Sequence, residues 1–201
     1  MRRAVFLDRD GVLNELVERN GRRLSPLHDA EFVLLPGAAQ AVHALRGAGL
    51  LAIVVTNQPE IRRGRLRAVD LARMHARLER NLEINAIYVC PHDDADACAC
   101  RKPKPGLLRA AARDWEIDLS GSFLVGDGWK DIAAGRAAGC RTIRVVDTAH
   151  NGPETPTPRG EARNAKADAR VADFSDAVAW ILSELAQPRP RAVTRVAGGD
   201  A

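Results

Sequence analysis

The sequence predicts a doubly wound α/β fold, an open and mainly parallel sheet with helices on both faces. Three observations carry that expectation. Short apolar runs of strand length at 4–7, 50–55, 86–89, 122–125 and 142–146 alternate with helical patterns. The runs are followed at once by polar or small residues, among them Asp8, Thr56, Cys90 and Asp127. Open α/β sheets bind their ligands at that carboxyl end. Finally, 201 residues at 46% hydrophobic content suffice for one well-packed core and are short for two.

Residues 4–7 (AVFL) form an uninterrupted apolar run, as expected of a strand buried on both faces, and Gly11 turns the chain just beyond it. The polar segment 15–29 contains Asn20-Gly21, the signature of a small β-flap. Pro36-Gly37 opens a helix over 38–47 with Ala41, Val42 and Leu45 on one face, and Gly49 ends it. After the strand at 50–55, an amphipathic helix over 66–82 turns Leu71, Met74, Leu78 and Leu82 inward. Helices over 105–115 and 129–138 flank the strand at 122–125, the first with Pro near its first turn, the second closed by Gly139. Residues 150–160, rich in Pro and Thr, read as a loop or linker. A last helix over 177–185 packs through Val178, Leu182 and Leu185. No repeat is present. The organisation expected is a single domain over 1–186 and a disordered tail over 187–201, where apolar periodicity is lost.

Lys and Arg number 30 against 26 Asp and Glu, a mild excess concentrated in Arg2-Arg3, the Arg62-Arg63-Arg65-Arg67 cluster and the tail. No basic run is interleaved with aromatics, which make up 4% of the chain, so nucleic acid is not the expected partner. No apolar stretch reaches the length of a membrane span, and nothing resembles a signal peptide. The expectation is a soluble, cytoplasmic and monomeric protein.

Polar residues gather where the strands end: Asp8 and Asp10, Thr56-Asn57, Arg101-Lys102, and Gly126-Asp127 with Asp131. Each has a plain structural explanation as a cap, turn or surface charge. Taken together they fit phosphoryl transfer. That chemistry needs a carboxylate nucleophile, a nearby acid–base, a hydroxyl and a lysine on the phosphoryl oxygens, and Mg²⁺ on oxygen ligands.

A second cluster, Cys90-Pro91-His92 followed by Cys98-Ala99-Cys100, supplies three thiolates and an imidazole over residues 90–100. That is a complete tetrahedral Zn²⁺ shell, and a complete shell marks a structural site. Asp93, Asp94 and Asp96 lie between the ligands and are expected to be solvated loop charge, because carboxylates lose to thiolates at zinc. The loop runs directly into Arg101 and Lys102. Cys140 stands apart as a small buried hydrophobe.

The order of DxDG after a strand, a second strand ending in Thr, a Lys and then GDxxxD resembles the haloacid dehalogenase superfamily of phosphatases. The resemblance implies Asp8 as nucleophile and Asp10 as general acid and base, with Thr56 and Lys102 holding the phosphoryl group beside Asn57. It implies Mg²⁺ on Asp8, the Asp10 main-chain carbonyl and Asp127, with Asp131 in support. Between Asp10 and Thr56, and again between Thr56 and Lys102, only 45 residues intervene, too few for a folded cap domain beyond the elements already assigned. The enzyme is therefore expected to be capless.

DRDGVLN, TNQ, CRKPKPG and VGD narrow the resemblance to the bacterial heptose bisphosphate phosphatases, whose histidinol-phosphate phosphatase relatives share the zinc loop. Pro59-Glu60 stands where the heptose branch often carries Ser-Gly, and the zinc loop is short. A small sugar phosphate is the expected substrate, with Arg63 and Arg101 on its second phosphate. Two alternatives stay open at this level: a histidinol-phosphate phosphatase, toward which Glu60 leans, or another small phosphate-ester phosphatase, and, more remotely, a zinc-loop nucleic-acid-binding module without activity.

Overall fold

The computed structural model describes residues 1–146 and 166–187. The loop expected at 150–160 and, apart from Gln187, the tail expected from 187 onward lie outside the described residues.

Six strands build the main sheet: β1 (Ala4–Leu7), β4 (Leu51–Asn57), β5 (Ala86–Cys90), β6 (Phe123–Gly126), β7 (Arg141–Val145) and β8 (Ala169–Val171). They run in the order β5-β4-β1-β6-β7-β8, and all the pairs are parallel. A separate antiparallel hairpin, β2 (Val17–Arg19) with β3 (Arg22–Leu24), turns through Asn20 and Gly21, both at positive φ. This is the expected flap. Among the described residues no second folded domain accompanies it.

Side chains alternate across β1, which sorts its residues between two cores. Val5 and Leu7 face a cluster closed by α1 (Ala38–Gly47), α3 (Ala68–Asn81) and α6 (Phe174–Ala186). Ala4 and Phe6 face the other, closed by α4 (Gly106–Trp115) and α5 (Trp129–Ala138). The doubly wound architecture expected from the sequence is therefore present. Cys140, 6% exposed, belongs to the second cluster as a buried hydrophobe.

β1 is central, with β4 and β6 on either side, and Asp8 N–H continues the ladder by donating to Val125 O at 2.9 Å. Asp8, Thr56 and Asp127 are thereby delivered at one edge of the sheet.

Three differences from the sequence reading have local causes. α2 (Pro59–Arg62) is one turn long, too short to leave a periodic pattern. β8 has three residues, partly buried, and no apolar run. α6 begins three residues before Ala177 because the Asp173 side chain accepts from Asp176 N–H at 2.9 Å and caps an earlier start.

Candidate active site and metal cluster

Lys102 lies at the centre of the carboxyl edge, its side chain 2% exposed. Its Nζ lies 2.8 Å from Asp8 Oδ1 and 2.6 Å from Asp131 Oδ1, and donates to Val55 O at 2.8 Å. The two carboxylates push the lysine pKa up against the opposing effect of burial, so it is held as an ammonium. The Lys102–Pro103 peptide is cis.

Asp127 completes a triangle with Asp8 and Asp131, their carboxylate oxygens within 4.8 Å of one another. Burial, and then the charge of Asp131, raise the Asp8 pKa to about 7 against the pull of Lys102. Burial and the charges of Asp8 and Asp131 likewise drive Asp127 well above the carboxylate range. Three carboxylates, Asp131 buried and Asp8 and Asp127 partly so, facing one ammonium leave an excess of negative charge that suits a divalent cation on oxygen ligands. Glycine at position 11 makes the approach feasible. It holds φ +82°, and a Cβ there would stand 2.4 Å from Asp127 Oδ2. Asp131 Oδ2 also accepts from Gly128 N–H at 3.1 Å, tying the site to the first turn of α5.

Asp10 sits in a different environment. Arg9 donates to its Oδ1 through Nε at 3.0 Å and Nη2 at 2.9 Å. Asn14 Nδ2 donates to Oδ1 at 3.0 Å, and Gln58 Nε2 to Oδ2 at 2.8 Å. Burial alone would raise the Asp10 pKa, but the Arg9 charge and the hydrogen bonds from Asn14 and Gln58 outweigh it and hold the carboxyl below its usual range. Arg9 is fully buried, its guanidinium 5.7 Å from the centre of the Phe32 ring, and Nη1 lies 3.3 Å from His75 Nε2. Burial, and then the Arg9 charge, depress the His75 pKa to about 4, so the ring is neutral and Nε2 accepts.

The cysteine segment forms the second cluster. Cys90, Cys98 and Cys100 Sγ are separated by 3.6, 3.3 and 3.4 Å, and His92 Nδ1 lies 3.7 Å from Cys90 Sγ and 3.3 Å from Cys100 Sγ. The sulfurs are too far apart for disulfides. A tetrahedron of thiolates around Zn²⁺ at about 2.3 Å has edges of roughly 3.8 Å, close to these separations. The expected quartet is thus brought together.

A cavity of about 360 Å³ opens over Asp8, Asp10, Asn57, Lys102, Asp127 and Asp131. Thr56 is almost fully buried beneath, its Oγ1 accepting from Gln58 Nε2 at 2.9 Å. Arg63 and Arg101, expected on the second phosphate, do not line this cavity. Arg63 is bound by Asp93, at 2.7 and 2.6 Å, and by Glu60 at 2.7 Å. Arg101 donates to Asp94 Oδ1 at 2.7 Å and His92 O at 3.2 Å, cross-linking the cysteine loop. The loop acids lie outside the cysteine cluster, Asp94 and Asp96 exposed as expected, and each pairs with an arginine, Asp96 with Arg62. The sequence reading also missed Gln58, Arg9, Arg23, Trp129 and Lys130. Gln58 follows Thr56-Asn57 directly and offered the most accessible signal.

The comparisons with known proteins agree with this geometry. A family model described as "HAD-hyrolase-like" matches residues 99–177. The D-glycero-beta-D-manno-heptose-1,7-bisphosphate 7-phosphatase of Bordetella bronchiseptica is 38% identical over 141 residues, covering 68% of this chain and 76% of the relative. Its namesake from Neisseria meningitidis serogroup A is 33% identical over 192 residues, 92% of this chain and 97% of the relative. The crystal structure of the B. bronchiseptica D,D-heptose 1,7-bisphosphate phosphatase with magnesium and phosphate superposes with a TM-score of 0.72 at 30% identity, over 90% of this chain and 99% of that one.

Paired aspartates at the edge of a doubly wound sheet, beside a buried lysine and among such relatives, define a phosphoric monoester hydrolase. More particularly, the chain belongs to the haloacid dehalogenase superfamily of phosphatases.

Proposed function

We infer that this phosphatase is Mg²⁺-dependent and removes the 7-phosphate of D-glycero-D-manno-heptose 1,7-bisphosphate through an aspartyl-phosphate on Asp8, acting as a monomer in nucleotide-heptose biosynthesis in the cytoplasm. The observation that carries the chemistry is Lys102 Nζ held 2.8 Å from Asp8 and 2.6 Å from Asp131. The substrate assignment is supported by the names of relatives that match 92% of this chain.

Asp8 attacks phosphorus with one carboxylate oxygen while the ester bond to the sugar breaks. Lys102 stands beside that oxygen and balances charge on the phosphoryl group, which Thr56 and Asn57 help to hold. Asp8, the Asp10 main-chain carbonyl and Asp127, braced by Asp131, would hold Mg²⁺, whose charge offsets repulsion between nucleophile and phosphate. Asp10 protonates the departing alkoxide and then takes a proton from the water that hydrolyses the aspartyl-phosphate. The Arg9–Asn14–Gln58 network stabilises its ionised form, which is the form the second step uses. Delivering a proton in the first step requires Asp10 to swing out of that network toward the substrate. Cys90, His92, Cys98 and Cys100 would hold Zn²⁺ for structure alone, fixing the loop that leads into Lys102.

Two observations weigh against the alternatives. Glu60, the residue that leans toward the cationic histidinol phosphate, is paired with Arg63 and Arg65. Arg62, Arg63, Arg65 and Arg67 are all engaged by acids, which neutralises the basic face a nucleic acid would need. The deciding experiment compares kcat/KM for both anomers of the heptose bisphosphate and for histidinol phosphate, with Asp8→Asn as the inactive control. Histidinol phosphate as the preferred substrate refutes the assignment, and a working Asp8→Asn enzyme refutes the mechanism.

A further inference from the structure

In the mechanism above, Asp10 leaves its seat to protonate the departing alkoxide and must return to the same seat to take a proton from water. Three side chains build that seat, and each of them has a second acceptor. Asn14 Nδ2, which donates to Asp10 Oδ1, also donates to Glu15 O at 2.9 Å. Gln58 Nε2, which donates to Asp10 Oδ2, also donates to Thr56 Oγ1 at 2.9 Å. Arg9 commits Nε and Nη2 to Asp10, and its Nη1 lies 3.3 Å from His75 Nε2. His75 thus does for the guanidinium what a carbonyl and a hydroxyl oxygen do for the two amides. The seat can stand empty without leaving its donors orphaned.

The guanidinium is the member that most needs its second partner. Arg9 is fully buried and its charge is paired with Asp10. A buried cation deserted by its carboxylate is drawn after it, or toward the phosphoryl group on the neighbouring Asp8. Two neutral groups oppose that pull: the unprotonated His75 ring, and the Phe32 ring 5.7 Å from the guanidinium. Both are fixed from outside the catalytic loop. His75 is carried by α3, which Met74 and Leu78 pin to the core. Phe32 has a second guanidinium, that of Arg77 of α3, 5.4 Å from its ring centre. His75 does not line the cavity over Asp8, so it acts through Arg9. We propose that His75 is a positioning residue: by accepting from Arg9 it keeps the guanidinium aimed at the seat of Asp10 while the carboxyl is away, and so sets how fast the aspartyl-phosphate is hydrolysed. The proposal rests on the role given to Asp10 above.

The test separates the two chemical steps with p-nitrophenyl phosphate, whose leaving group departs without a proton. In the first step the bond from Asp8 to phosphorus forms as the ester bond breaks. In the second, water adds to phosphorus, Asp10 takes its proton and the bond to Asp8 breaks. Rapid-quench kinetics on the full chain with Mg²⁺ follow nitrophenolate release and acid-trapped phospho-enzyme. In His75→Leu, hydrolysis of the phospho-enzyme should slow about tenfold while its formation changes by less than about twofold, so more enzyme is trapped at steady state. His75→Gln keeps an acceptor for Arg9 and should recover most of the lost rate. His75→Ala reads the same ratio should His75→Leu fail to fold. A residue that served packing alone would scale both steps with the folded fraction and leave their ratio unchanged. That result overturns the proposal, as does a His75→Gln enzyme no better than the apolar variants. Asp10→Asn is the reference and should accumulate phospho-enzyme. If it does while the apolar variants of His75 do not, the role of Asp10 stands and that of His75 falls. If Asp10→Asn accumulates none, the role given to Asp10 falls and the proposal with it.

Discussion

The side chain of Asn57 and the main chain of Lys102 are joined by two reciprocal hydrogen bonds: Asn57 Nδ2 donates to Lys102 O and Lys102 N–H donates to Asn57 Oδ1, both at 3.1 Å. An amide side chain here completes the pairing that a neighbouring strand would have made, so the end of β4 holds the lysine backbone in register with Asp8. The motif order implies Asn57 as a substrate ligand, and it also positions the lysine.

Replacing Asn57 with Ala should therefore act through Lys102. Two neutral hydrogen bonds are lost and a main-chain pair is left without partners, a cost on the order of 1–3 kcal/mol. We expect kcat/KM to fall about tenfold or more on every phosphate ester, generic esters included. A loss confined to sugar substrates would show that Asn57 acts only as a substrate ligand.

Glycine at 11 is required twice over, by its φ of +82° and by Asp127 Oδ2, which would lie 2.4 Å from any added Cβ. Gly11→Ala should cost about 1–3 kcal/mol of stability and displace the Asp127 carboxylate. The Mg²⁺ concentration for half-maximal activity should then rise severalfold. An unchanged Mg²⁺ requirement in a folded variant would remove Asp127 from the metal site.

Zinc should accompany the purified protein at about one equivalent and be lost in Cys98→Ser or Cys100→Ser, with a lower Tm. Added Mg²⁺ should not restore turnover, because the lesion lies in the support of Lys102. Metal-free wild type with full activity would end this account of the cysteine loop.

His75 sets a pH dependence of stability. Its folded pKa of about 4 lies below the ordinary 6.5, so between those values the unfolded chain binds the proton that the folded chain refuses. The stability it contributes is complete above pH 6.5 and is lost as the pH falls toward 4. Denaturant unfolding at pH 7 and pH 4.5 should show a smaller acid loss in His75→Gln than in wild type. Equal losses would mean that His75 titrates normally.

The fold was legible wherever one local pattern decided an element. The run Ala4–Leu7, the Pro36-Gly37 start of α1 and the Gly139 stop of α5 each carry their own signal, and the structure follows them. The cysteine segment stood out for the same reason, since three cysteines and a histidine lie together within residues 90–100. Arg9 was not legible. An arginine between two aspartates reads as surface charge, and it is buried only because Asp10, Phe32 and His75 surround it from separate parts of the chain. The commitments of Arg63 and Arg101 were hidden in the same way, for their partners Asp93 and Asp94 belong to a loop whose path depends on the cysteine cluster.

The central place of β1 in the sheet also fixes when hydrolytic power can arise during synthesis. Asp8 emerges from the ribosome with the first strand, but Lys102, Asp127 and Asp131 belong to the second half of the chain. Until β6 docks, Asp8 follows a strand with one edge unpaired and lacks Asp127 and Asp131, the acids that complete the carboxylate triangle. The site is thus built from contacts of high sequence separation, the slowest kind to form. A nascent chain that stops short of β6 should be inactive, so activity can serve as a reporter for the docking of β6 against β1.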